Sequence, residues 1–182
     1  MKNNSASFTI WLTGISGAGK STLANALQNK LKENNITGFC IDGDVLRNGI
    51  CKDLGFSDSD RIENMRRASC LAKMINDQGH TAIVSLISPF KTEREKAQHY
   101  IGADKFLEVF VDCSYEECAK RDVKGLYKKF ESGLLFQFTG KDSNYEVPEN
   151  PSVHIKTNEL DLEAGLQLIV SEIEARYQLL LS

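Results

Sequence analysis

Residues Gly14 to Ser21 read GISGAGKS and fit the pattern GxxxxGK[ST]. The spacing has a chemical reason. Glycines at 14, 17 and 19 let the backbone fold tightly enough for successive amide N–H groups to converge on phosphate oxygens. Lys20 adds a full positive charge for the β and γ phosphates, and Ser21 a hydroxyl ligand for Mg²⁺. Ile15, Ser16 and Ala18 complete the loop. Thr22 follows in the first turn of the next helix, whose unpaired N–H groups and partial positive charge extend the anion site. FTIWLT before the loop and TLANALQNKL after it supply the strand and helix this chemistry requires. The segment is therefore expected to hold a nucleoside triphosphate. A guanine-specific NKxD string is absent, and DVKG at Asp122 to Gly125 matches DxxG only as a four-residue pattern, expected to be incidental.

A phosphoryl donor needs an acceptor and an acid–base pair. IDGDVLR places Asp42 and Asp44 at the carboxyl end of a strand, the edge where open α/β sheets bind ligands. Either could hold Mg²⁺ through water or take the proton of an attacking hydroxyl. Asp44 is favoured for both tasks, and the alternative for Asp42 is to cap a short helix. Arg47, Arg61, Arg66 and Arg67 fall within 21 residues, with Asn64 beside them. Guanidinium forks grip phosphate or sulfate, so the cluster suggests an anionic acceptor, with one or two of the four on a solvated helix face. From Arg121 to Pro148 the chain is irregular and mixes Arg121, Lys124, Lys128 and Lys129 with Phe136 and Phe138. Such a stretch is expected to act as a lid that excludes water. Asp112, closing FLEVFVD, superficially resembles a second metal-binding aspartate, but Ser114 and Glu117 follow in helix-start spacing and favour capping.

These residues need a scaffold. Phe8–Thr13, Gly38–Ile41, Thr81–Ile87, Lys105–Val111 and Val153–Ile155 read as strands, rich in Ile, Val and Phe with little polar alternation. That is the pattern of a parallel sheet covered on both faces. Helical stretches lie between them at about 20–33, 58–78, 92–100, 114–120 and 161–181. The fold class is α/β, a mostly parallel five-stranded sheet with helices on both faces and a lid at about 121–148. Ser57 is expected to cap the 58–78 helix with Asp60 reaching back, and Gly79 to end it in a left-handed conformation. Leu162, Leu166, Ile169, Ile173, Tyr177 and Leu180 form one apolar face on the last helix.

The 182 residues fit one domain, residues 1–182, with 41% hydrophobic and 26% charged residues. A net charge of −3 gives no general attraction to nucleic acid or an anionic membrane, so positive charge must be placed locally. Five cysteines without a CxxC pair read as reduced thiols, and the three histidines form no zinc motif. Met1 to Ser7 is polar, without the apolar stretch of a signal peptide, and the expected location is cytoplasmic.

Beyond these generic signals, GISGAGKS, DGDVLRNG, DLGFSDSDRIENMRR, ISPF, FVD, RDVKGLYKK and FTGKDSNYEVPENP stand in the order and spacing of the adenylylsulfate kinases, which this chain resembles from about Phe8 to Leu180. The resemblance implies the P-loop nucleoside triphosphate hydrolase fold. It also implies the reaction of ATP with adenosine 5′-phosphosulfate to give ADP and 3′-phosphoadenosine 5′-phosphosulfate, with Mg²⁺ as cofactor. It places Arg47, Arg61 and Asn64 on the phosphosulfate and ribose, and Phe56 and Phe138 as rings sandwiching the acceptor adenine. Ile87, Ser88, Lys124 and Leu126 resemble further acceptor contacts, and Arg121 the residue packing on the ATP adenine. It also implies a homodimer and an association with ATP sulfurylase.

The serine matching Ser88 is traditionally described in this family as a phosphoserine intermediate. Its surroundings in the sequence hold no histidine to activate it, and in-line transfer needs no protein nucleophile, so positioning is the expected role. The chain departs from the family at Val45, Ile15 and Phe90, where Asn, Leu and Tyr are usual, and KKFESGLLFQF is more apolar than the usual lid. Another small-molecule kinase would share the loop but not the paired DGD and ISP strings. A nucleotide-binding regulator without turnover would be favoured only if Lys20 or Asp44 were missing.

Overall fold

The computed structural model describes residues 7–181, so the polar start at 1–6 lies outside the described residues. Five parallel strands, β1 (Thr9–Thr13), β2 (Gly38–Asp42), β3 (Thr81–Ser85), β4 (Phe106–Asp112) and β5 (Val153–Lys156), form one sheet in the order β2-β3-β1-β4-β5. β1 lies at the centre with all five residues buried. Because side chains alternate across a strand, Ile10 and Leu12 face one side while Trp11 faces the other. On the first face α1 (Lys20–Glu33) and α7 (Leu162–Tyr177) bring Leu27, Leu31, Ile169 and Ile173. On the second, α3 (Asp58–Asp77) and α4 (Lys91–Ile101) bring Ala68, Ala72 and Ala97 against Trp11 and Val84. Small residues there let the helices approach closely enough to enclose the indole.

Three short helices complete the chain: α2 (Gly43–Asn48), α5 (Tyr115–Arg121) and α6 (Leu126–Glu131). Ser57 and Asp60 form the expected reciprocal cap on α3, and Gly79 has φ 80°. Two expectations change. At the two ends of the expected apolar face, Leu162 is exposed and Leu180 lies beyond α7, which ends at Gln178 in a left-handed turn, and Leu179 and Leu181 are buried instead. Asp112 caps nothing: Ser114 accepts the Glu117 N–H, while the Asp112 carboxylate pairs with His154 at 2.8 Å. The serine holds the helix-start dihedrals, leaving the aspartate two residues earlier, still on the strand.

DVKG also finds a local explanation. The Asp122 carboxylate accepts the Tyr127 and Lys128 N–H groups, and Gly125 starts α6 at φ 65°. The five cysteines are free thiols. Among the described residues no helix is long and apolar enough to cross a membrane.

Candidate active site

At the carboxyl ends of β1, β2 and β3 lies a cleft of about 920 Å³. The loop between β1 and α1 forms one end of it. Gly14 admits no side chain, because a Cβ there would stand 2.3 Å from the Val111 carbonyl oxygen. This close approach seats the loop on β4. The Lys20 ammonium folds back to donate to the Gly14 and Ile15 carbonyls, each at 2.8 Å. Burial, then the nearby Lys124 charge, lowers its pKa to about 8. Ser16, Gly17, Gly19, Lys20, Ser21 and Thr22 line the cleft, whereas Gly14, Ile15 and Ala18 support it from behind.

Asp42 ends β2, and its carboxylate accepts the Ser21 hydroxyl at 2.7 Å and the Asp44 N–H at 2.9 Å. Burial pushes this carboxyl up, but the Ser21 and Asp44 hydrogen bonds and the Lys124 charge outweigh it and hold the pKa below the usual carboxylate range. Asp44, favoured from the sequence as base and metal orienter, lies in the first turn of α2 and pairs with Lys124. Asp42 both caps α2 and faces the loop, so its two alternatives were compatible.

The opposite end of the cleft carries Arg47, Phe56, Arg61 and Asn64. The Arg47 guanidinium lies 4.3 Å from the Phe56 ring centroid and donates to the Gly55 carbonyl at 2.6 Å. Arg61 is buried, donating to the Phe56 carbonyl at 3.0 Å and to the Gln137 carbonyl of the 121–148 segment. Burial lowers both guanidinium pKa values, and at Arg61 the Arg47 charge adds to it. Two cations held this close favour an anion between them. Asn64 is 5% exposed, and its Nδ2 has no hydrogen-bond partner among the described residues. Arg66 and Arg67 belong elsewhere: both bind Glu63, and Arg67 also binds Asp53.

Phe138 is buried, edge-on to Tyr127 at 4.8 Å, while Phe56 is half exposed. Tyr127 in turn donates to the Ser16 carbonyl at 2.6 Å, tying α6 to the phosphate loop. Arg121 binds the Thr157 carbonyl at 2.8 Å, and the Thr157 hydroxyl donates to the Ala18 carbonyl at 3.0 Å. Leu126 and Ile87 also line the cleft. Ser88 is 2% exposed at φ 48°, and its Oγ accepts the Trp11 indole N–H at 2.9 Å.

Sequence reasoning passed over Thr139, which lines the cleft with a buried hydroxyl lacking a hydrogen-bond partner among the described residues. It also passed over Tyr145, whose hydroxyl lies 2.9 Å from the Thr13 hydroxyl. The string FTGKDSNYE held both, but nothing in their types announced a contact.

A phosphate loop facing a basic, aromatic acceptor end across one cleft defines a P-loop kinase of a small anionic substrate. A gluconokinase from Sinorhizobium meliloti, 15% identical, shares the fold over 95% of both chains at a TM-score of 0.63. The adenylylsulphate kinase family profile matches residues 6–156, and the chain belongs to that family. An adenylyl-sulfate kinase of Vibrio vulnificus is 46% identical over 92% of this chain and 81% of its own. One from Pseudomonas aeruginosa is 48% identical over 91% and 84%. The structure of the Mycobacterium tuberculosis APS kinase CysC in complex with AMPPNP and APS superposes with a TM-score of 0.89 at 40% identity, covering 93% and 98% of the two chains. The present chain is thus an ATP-dependent kinase of adenosine 5′-phosphosulfate.

Proposed function

We propose that the cleft transfers the γ-phosphoryl group of ATP to the 3′-hydroxyl of adenosine 5′-phosphosulfate, with the two nucleotides entering from opposite ends. One observation carries this reading. Arg47, Arg61 and the Asn64 Nδ2, which has no partner among the described residues, form a ready anion and hydroxyl site at the end opposite the phosphate loop. Lys20 and the amides of residues 14–22 hold the β and γ phosphates. As phosphates arrive, the ammonium exchanges its two carbonyl partners for phosphate oxygens, which favour its charged form.

The hydroxyl of Ser21 and the carboxylate of Asp42 are hard oxygen donors beside the loop and suit Mg²⁺, with Asp42 better placed than Asp44. Mg²⁺ bound there would neutralise charge developing on the phosphates. Asp44 takes the proton of the attacking 3′-hydroxyl, after Lys124 leaves it for the phosphosulfate. Phe56 and Phe138 stack on the acceptor adenine, while Ile87, Ser88 and Leu126 shape its pocket. Arg121 packs on the ATP base. The 121–148 segment acts as a lid over residues 1–182 taken as one kinase domain.

A homodimer, a cytoplasmic location and association with ATP sulfurylase belong to the same reading. An assembled relative lends support to the first: the hexameric APS kinase from Thiobacillus denitrificans, 31% identical, with this chain covering 30% of that one. Light scattering of the purified chain tests it. For the reaction, ADP release is measured with adenosine 5′-phosphosulfate, gluconate, shikimate and adenosine monophosphate as acceptors. Only the first is expected to respond, and equal responses would end the proposal.

A further inference from the structure

Behind the acceptor loop, outside the cleft, sits a residue that the reaction as described does not use. Arg94 on α4 is 3% exposed, and its guanidinium makes three separate contacts. Nε binds the Glu108 carboxylate on β4 at 2.8 Å, Nη1 donates to the Ser88 carbonyl at 2.8 Å, and Nη2 donates to the Glu146 carbonyl at 2.8 Å. The first contact is an ion pair, and Glu108 is largely covered: burial pushes its carboxyl above the usual range although Arg94 opposes this. The other two join segments 58 residues apart, the ISP loop and the returning end of the lid.

Further bonds make that junction a clasp. Glu146 N–H donates to the Pro89 carbonyl at 2.8 Å, and the Glu146 side chain accepts the first N–H of α4, from Lys91. The Thr13 hydroxyl donates to the Ile87 carbonyl at 2.7 Å while meeting the Tyr145 hydroxyl. Ser88 occupies a left-handed conformation that a residue with a side chain adopts only when its surroundings hold it there. Its carbonyl is fixed from behind by Arg94 and its Oγ by Trp11.

We propose that Arg94 is a positioning residue for the acceptor half of the reaction, locking the Ser88 loop and the end of the lid into one piece. The inference rests on the acceptor site assigned above. Its planar fork suits the task, because three acceptors in different directions need donors on all its nitrogens, which a lysine ammonium on a flexible stem cannot satisfy together.

The test uses Arg94→Lys, Glu108→Gln and the double variant Arg94→Gln/Glu108→Gln, in which no buried carboxylate loses its partner. Initial rates give KM for adenosine 5′-phosphosulfate and for ATP. The chain's single tryptophan, Trp11, reports on the same loop through its hydrogen bond to Ser88. Arg94→Lys and the double variant are expected to raise the acceptor KM about tenfold or more, leave the ATP KM within about twofold, and shift the Trp11 emission. Glu108→Gln removes the ion pair but neither carbonyl contact, so its acceptor KM and emission should match the parent. An unchanged acceptor KM in folded Arg94→Lys, or an equal rise in Glu108→Gln, would overturn the proposal. Should the double variant fail to fold, Arg94→Lys alone decides. A parent enzyme inactive on adenosine 5′-phosphosulfate would instead refute the acceptor reading, and the emission comparison would still judge the clasp.

Discussion

Lys20 is held by two carbonyls and surrounded by protein, so in the free enzyme it releases its proton at a pKa of about 8 rather than 10.5. Phosphates restore the preference for the ammonium, and binding ATP must therefore take up a proton wherever free Lys20 is partly neutral. With a pKa of about 8, about nine-tenths of the free protein is competent at pH 7 and about one-tenth at pH 9. The Kd for ATP should thus weaken about tenfold between those two values, where the charge on ATP itself is nearly constant. Isothermal titration in buffers of different ionisation enthalpy should find about half a proton taken up at pH 8. Lys20→Arg keeps its charge throughout and should lose the pH dependence, whatever its absolute affinity.

Stability moves the opposite way. Below pH 8 both folded and unfolded chains carry the charged lysine, and the cost of burying it is fully present. Between pH 8 and 10.5 the unfolded chain retains a proton that the folded chain has lost, so this group raises stability as pH rises. The displacement corresponds to roughly 3 kcal/mol across that window. Urea unfolding of the parent and of Lys20→Met, compared at pH 7 and 10, isolates the contribution. An ATP affinity equal at pH 7 and 9, or no proton uptake at pH 8, would refute the reasoning.

Ser88→Ala should retain substantial turnover, since its Oγ is already engaged by Trp11. It should lose about 1–3 kcal/mol of stability because the buried indole N–H is left unpaired; complete loss of turnover in a folded variant would contradict this. Gly14→Ala should cost about 3 kcal/mol or more in a thermal melt, as its Cβ would stand 2.3 Å from a carbonyl oxygen. Asn64→Leu should melt at or above the parent temperature while raising the acceptor KM at least tenfold, because it removes a buried Nδ2 that has no hydrogen-bond partner among the described residues. Asp42→Asn should raise the Mg²⁺ concentration needed for half-maximal rate, and Asp44→Asn should instead lower kcat with less effect on that requirement.

Most of the scaffold was legible because its signals are local. The strand runs match β1 to β5 within two residues at each end, and α1 begins and ends where expected, since hydrophobic periodicity and capping residues act over a few positions. The phosphate loop was legible for the same reason, each of its residue types serving the segment it belongs to. What escaped depends on partners far along the chain. Asp42 and Asp44 are two residues apart and chemically equal, and only the packing of α1 and of the 121–125 turn sends one to Ser21 and the other to Lys124. Thr139 and Tyr145 lie in a stretch without periodicity, so nothing local marks which face they present.

Arg94 is the sharper case. Within the sequence it sits in KTEREK, a run that reads as an ordinary solvated helix face. Its burial rests on three acceptors at once, the Glu108 carboxylate and the Ser88 and Glu146 carbonyls. Buried there, the guanidinium needs an acceptor for each of its nitrogens. Two of these acceptors belong to a loop that departs from strand geometry at Ser88 and to the end of the 121–148 segment. The ion pair can contribute little of its own energy after desolvation; it is the fork itself, through its two carbonyl contacts, that holds two irregular segments in register.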